Sequence, residues 1–203
     1  GYININIKKK HLPSLLKIAV LQPIAYFTCE TFGIQMTTAS ESGSIIACIP
    51  IASLVASILF LQKKPTRFQT SGICLTVVGV IVCVTAKGFE SSFMAVLSYS
   101  LYCVSAEKAY KTTSIEKTYV MIACGACFFA TMAIAKSIAA GTVVDLLMLP
   151  FQNTVFLFSI VYLGIVSSVI SFVLFNISIS SIGTNKASSF VGISTAVSVL
   201  AGV

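Results

Sequence analysis

Apolar blocks, each about one membrane width long, alternate with short polar connections along the whole chain. Leu12 to Met36, Ser42 to Leu61, Phe68 to Ala86, Ser91 to Ala106 and Thr118 to Ala135 come first. Within them only Lys17 and Glu30 carry charge. An uncharged run from Leu146 to Ile182 follows, broken near its start by Pro150, Gln152 and Asn153, which leaves a helix from about Thr154 to Ser180. The last block runs from Ala187 to Val203. Each is close to the roughly 20 residues that cross a bilayer core as a helix, the form in which one segment satisfies its own backbone hydrogen bonds in lipid. The shortest, Ser91 to Ala106, extends through Lys108, whose aliphatic stem can snorkel. The pattern predicts an all-α, polytopic membrane helix bundle with seven transmembrane helices.

Composition removes the alternative of a soluble core. Hydrophobic residues make up 57% of the 203 and charged residues 9%, against roughly a quarter charged in soluble domains, and mean hydropathy is +0.98. The basic residues then set an orientation. Lys8, Lys9, Lys10, Lys17, Lys63, Lys64, Arg67, Lys108, Lys111, Lys117 and Lys186 fall on one side of the predicted spans, and only Lys87 and Lys136 on the other. By the positive-inside rule the first face is cytoplasmic and the first helix runs outward, as in a multi-pass protein of a bacterial cell membrane. The net charge of +7 is thus spread as topology signals, not gathered into a basic patch with interleaved aromatics, which excludes nucleic acid as a partner. Gly1 is not an initiator Met, the stretch to Lys10 reads as a cytoplasmic loop without a signal peptide, and the last block has no loop after it. A fragment with further helices at both ends is expected.

Polar residues inside the spans are where chemistry would reside. Gln22, Tyr26 and Glu30 are spaced i, i+4, i+8, which places them along one face of the first helix, with Gly33 continuing it. Glu30 is the only acid well inside a predicted span. An unpaired carboxylate in lipid costs several kcal/mol or takes up a proton, so this face should point at protein or water. Two readings of Glu30 stay open: recognition of a substrate amine or proton coupling, and a structural hydrogen bond to a neighbouring helix. Pro50 falls near the centre of its block and cannot donate to Ile46, which predicts a bend and a free carbonyl at the midplane, or else a packing kink. Asn176 reads as a bridge between helices. Cys124 and Cys127 form a CxxC within Ala123 to Cys127, where small residues predict close helix packing and not a metal pair. Neither a metal nor a cofactor is expected. The single histidine, His11, lies at the cytoplasmic edge, and no Walker-type phosphate loop is present, so neither an enzyme nor an ATP-driven pump is indicated.

Sliding the chain by 144 residues brings Ser44 over Ser188, Ile49 over Ile193, Ala52 over Ala196 and Val55 over Val199. The second and seventh helices are an odd number apart, so such a repeat would be inverted across the membrane. Beyond this, the stretch Tyr26 to Gly43, with Gly33-Ile34, Thr37-Thr38-Ala39-Ser40 and Gly43, is followed by Ile45 to Pro50, Leu59 to Thr66, and Gln69 to Gly72 running on to Gly79-Val80. These residues resemble the EamA domain of the drug/metabolite transporter superfamily. The resemblance implies a ten-helix transporter of two inverted five-helix repeats, of which residues 1–88 hold the last three helices of the first and 89–203 the first four of the second. It also implies that the helices bearing Tyr99 and Tyr102 border a central cavity, which adds both tyrosines to Gln22, Tyr26, Glu30 and Pro50 as candidate substrate-binding residues. Two positions depart from the family pattern. Lys63 stands where Glu is common, which weakens any claim of a loop salt bridge there, and Ser194 replaces the second central proline and joins the candidate list.

The function implied is a secondary transporter that exports an amino acid or related metabolite by alternating access. Its expected partners are the bilayer and a small-molecule substrate, with proton exchange and a homodimer left open. A seven-helix receptor or scaffold, or an inactive fragment, is the alternative.

Overall fold

A computed structural model describes residues 11–36, 45–63, 66, 67, 69, 71 and 89–191. Most of the third predicted helix, most of the seventh with Ser194, and the Thr37 to Gly43 turn lie outside the described residues. The described regular structure is entirely helical. In chain order it comprises α1 (Leu12–Met36), α2 (Ile49–Leu61), α3 (Phe89–Lys108), α4 (Ser114–Ala140), α5 (Val143–Gln152) and α6 (Thr154–Ile182), then a last helix, α7, over 184–191. Among them α1, α4 and α6 are long and apolar enough to cross a membrane, and α2 is a shorter apolar helix.

Helix ends follow local chemistry. At the start of α4, Thr113 and Glu116 form a reciprocal capping box, Glu116 N–H donating to Thr113 Oγ1 at 3.2 Å and Thr113 N–H to the Glu116 carboxylate at 2.8 Å. Asn153 closes α5 and caps α6 by accepting from Phe156 N–H at 3.1 Å. That makes α5 a short helix of its own in a stretch the sequence pattern leaves as an interrupted run. Its Val144, Leu147, Met148 and Phe151 are exposed.

Two helices are irregular inside their spans. In α1, Gln22 leaves helical geometry (φ −142°, ψ 117°) ahead of Pro23, and the chain crosses the break through a wide turn, Val20–Ala25. Pro23 supplies no N–H, and the Leu21 carbonyl takes both the Tyr26 N–H and the Ser98 hydroxyl, the latter at 2.7 Å. In α6 the stretch Tyr162–Ile170 is similarly wide. There Ser168 and Ser171 donate to carbonyls five residues back, at 2.8 and 3.1 Å.

Pro50 corrects the expectation of a central bend. A turn at Ala47–Cys48 precedes α2, which places Pro50 in its first turn, where a missing N–H would be unpaired anyway.

The core has two parts stacked along the bundle. One gathers Leu15 and Ile18 of α1, Tyr102, Cys103 and Ala106 of α3, Val120 and Met121 of α4, and Ile179 of α6. The other joins Tyr26 to Ile45, Ile46 and Ile49 beside α2 and to Ala95 and Val96 of α3. Tyr99 packs against both. The small-residue stretch of α4 acts as predicted: a side chain on Gly125 would start 2.5 Å from Pro23 Cγ, so the proline ring of α1 sits directly on the α4 backbone at the break.

Candidate functional site

A row of polar and aromatic side chains crosses the junction of the two core clusters. It begins at Glu30, whose carboxylate accepts from the Tyr26 hydroxyl at 2.9 Å, one helical turn away. The Tyr26 ring meets Tyr99 edge to face, centroids 5.2 Å apart, and Tyr99 meets Tyr102 in the same way at 5.5 Å. These are favoured aromatic geometries, with the edge of one ring against the face of the next. Phe175 flanks both Tyr99 and Tyr102. The Tyr102 hydroxyl donates to Asn176 Oδ1 at 3.1 Å, and Asn176 Nδ2 donates in turn to Thr118 Oγ1 at 3.1 Å and to the Phe172 carbonyl at 3.0 Å. Four helices, α1, α3, α4 and α6, therefore contribute to one connected row.

Of the residues singled out from sequence, Tyr26, Glu30, Tyr99 and Tyr102 are brought together here. Gln22 is not on a continuous helical face with Tyr26, because the chain leaves helical geometry between them. It is nonetheless fully buried beside the break, and its Oε1 has no hydrogen-bond partner among the described residues. Pro50 stays in the first turn of α2, outside the row. Asn176, read from sequence as a helix bridge, proves to be the buried terminus of the row, 0% exposed. Its being the one amide of an uncharged helix is the only signal for it.

A family model described as the EamA-like transporter family matches residues 2–85. The Uncharacterized transporter YcxC of Bacillus subtilis (strain 168) is 33% identical over 213 residues, an alignment that covers all of this chain and 68% of that protein. The chain belongs to the EamA-like transporter family. No solved structure matches it. Membership makes it a membrane transporter, in keeping with the apolar helices, and points away from enzymatic function.

This EamA-family chain carries a second polar centre at the end of the bundle where the lysines gather. Lys63, just past α2, forms an ion pair with Glu107 in the last turn of α3. The other Glu107 oxygen accepts the Thr184 N–H at 2.8 Å, and the Thr184 hydroxyl donates to the Cys103 carbonyl at 3.0 Å. Lys63 thus pairs with an acid on another helix, not with one in its own loop. Glu107 lies just beyond the apolar stretch of α3. Burial raises its carboxyl, but hydrogen bonds from Lys63 and Thr184 outweigh that and hold it below its ordinary value. The knot therefore contributes stability above the ordinary carboxylate range and loses it as pH falls through the lowered value. In the sequence Lys117 is a topology signal only. It is buried beside this knot, its Nζ donating to the Ala106 carbonyl at 2.8 Å.

Proposed function

We propose that this chain forms the central part of a secondary transporter that exports an amino acid or related small metabolite by alternating access. Residues 1–88 and 89–203 would belong to two inverted five-helix repeats, and the lysine-rich end would face the cytoplasm of a bacterial cell. The observation that carries the reading is the row from Glu30 through Tyr26, Tyr99 and Tyr102 to Asn176, set where the two core clusters meet. The row also joins Tyr26 and Glu30 of the first proposed repeat to Tyr99, Tyr102 and Asn176 of the second, and secondary transporters place their solutes between repeats, near mid-depth. A solute ammonium would meet the Glu30 carboxylate and the electron-rich ring faces, which attract cations. The unpaired Gln22 oxygen would accept a further hydrogen bond. Glu30 would also exchange a proton with the opposite flow, since a carboxylate held in a membrane span favours the neutral form whenever no cation is near.

The test is transport by the full-length protein in proteoliposomes, screened with radiolabelled amino acids across a pH series. Glu30→Gln keeps the shape and the Tyr26 contact but removes the charge. It is expected to slow transport of an accepted solute by about tenfold or more, the worth of one charge-assisted hydrogen bond, and to flatten its pH dependence. An unchanged rate and pH profile would remove Glu30 from the mechanism.

A further inference from the structure

A cavity of about 720 Å³ opens at the lysine-rich end, between the loop joining α3 to α4 and the end of α6. Its size lies in the range of small-molecule sites, roughly 300–1,000 Å³. Three lysines line it with one acid. Glu107 is already paired with Lys63, so the cations left over are Lys111 and Lys117. Lys117 is only 1% exposed, and its Nζ contacts two neutral acceptors, the Ala106 carbonyl at 2.8 Å and Ser180 Oγ at 3.5 Å. An ammonium has three donors, and among the described residues no carboxylate pairs with this one. Lys111 stands at the exposed mouth, its Nζ 5.7 Å from the centre of the Tyr110 ring. Ser114 Oγ lies 3.4 Å from Ser180 Oγ on the same wall, and since Ser180 already donates its proton to the Asn176 carbonyl at 2.9 Å, Ser114 is the hydroxyl of the two that can turn its proton to a ligand.

A buried cation without a counter-charge is costly, and it is relieved when an anion completes the site. We propose that this pocket binds a phosphate group, with Lys117 as the deep cation, Lys111 as the outer one and the Ser114 hydroxyl as a neutral donor. Two unmatched ammonium charges suit the charge of about −1.5 to −2 on a phosphate monoester, and lysine commonly binds phosphate as a point charge. The group has two sources: the headgroup of an anionic phospholipid, which basic pockets between membrane helices take up at the cytoplasmic face, and a free phosphate in solution. The site is separate from the Glu30 row and does not depend on which solute is transported.

Thermal stability of the full-length protein, followed by fluorescence-detected size exclusion, distinguishes them. In detergent, inorganic phosphate is titrated against chloride at constant ionic strength. In nanodiscs, phosphatidic acid, whose headgroup is a phosphate monoester, is compared with phosphatidylcholine. Stabilisation by inorganic phosphate, with its midpoint moved up about tenfold in Lys111→Gln and the effect lost in Lys117→Met, supports the site with a soluble source. Stabilisation by phosphatidic acid alone, cancelled by Lys111→Gln, supports it with the lipid as source. Lys111 is exposed, so its variant folds even where Lys117→Met does not. No stabilisation in either medium, or stabilisation that Lys111→Gln leaves intact, overturns the proposal.

Discussion

Asn176 shows how much one amide can decide inside a membrane helix. Its Oδ1 holds the Tyr102 hydroxyl, and its Nδ2 serves both Thr118 and the Phe172 carbonyl. Replacing it with Leu leaves the Tyr102 hydroxyl buried without an acceptor, while Thr118 keeps its bond to the Ser114 carbonyl. A loss of about 1 kcal/mol is expected, the scale of a hydrogen bond between membrane helices. Tyr102→Phe, which instead strands the Asn176 oxygen, should cost a similar amount. The double variant should lose clearly less than the sum, because the two groups satisfy each other. Melting curves of the four proteins in detergent test this, and strict additivity would mean that the bond carries no energy. At this scale the sequence is legible only along a helix. Tyr26 and Glu30 can be read as neighbours because one unbroken turn separates them. The meeting of Tyr26 with Tyr99 depends on how α1 packs on α3, which no spacing encodes.

Between helices, the close approach of α1 and α4 is the feature most sensitive to one atom. The break at Gln22 lets Pro23 press against Gly125, where a Cβ would start 2.5 Å from the proline ring. The ring is rigid, so Gly125→Ala must push the helices apart, and about 1–3 kcal/mol of stability should be lost, as in other overpacked cores. Pro50→Ala is the opposite case. In the first turn of α2 the proline removes no helical hydrogen bond, so the change should alter stability by less than about 0.5 kcal/mol and leave transport unaffected. A large gain in stability on replacing Pro50 would show instead that it interrupts a continuous helix, as the apolar block alone suggests. The long helices α1, α4 and α6 were legible because unbroken apolar runs admit only one backbone form in lipid. The turn before α2 and the short α5 were not. Each lies inside an apolar run, and hydrophobicity alone cannot place a break that is satisfied by Cys48, by Asn153 or by a partner helix.

Across the whole molecule, charge and fold make one joint statement about orientation. Lys63, Lys111 and Lys117, assigned to one side by their positions between apolar blocks, line a single cavity in the folded chain. Thr142 follows the end of α4, which starts at Ser114 in the wall of that cavity and whose 27 residues span about 40 Å at 1.5 Å per residue, more than the ~30 Å of the hydrocarbon core. Exposed Ser181, beside the knot of Lys63, Glu107 and Thr184, and exposed Thr142 should therefore lie on opposite sides of the membrane. With the native cysteines replaced, Thr142→Cys should react with a membrane-impermeant maleimide in intact cells. Ser181→Cys should react only in inverted vesicles or after permeabilisation. The reverse pattern would invert the orientation drawn from the lysines while keeping the span. Labelling of both from one side would mean that α4 does not cross the membrane, and the row from Glu30 to Asn176 would then have no path to bridge.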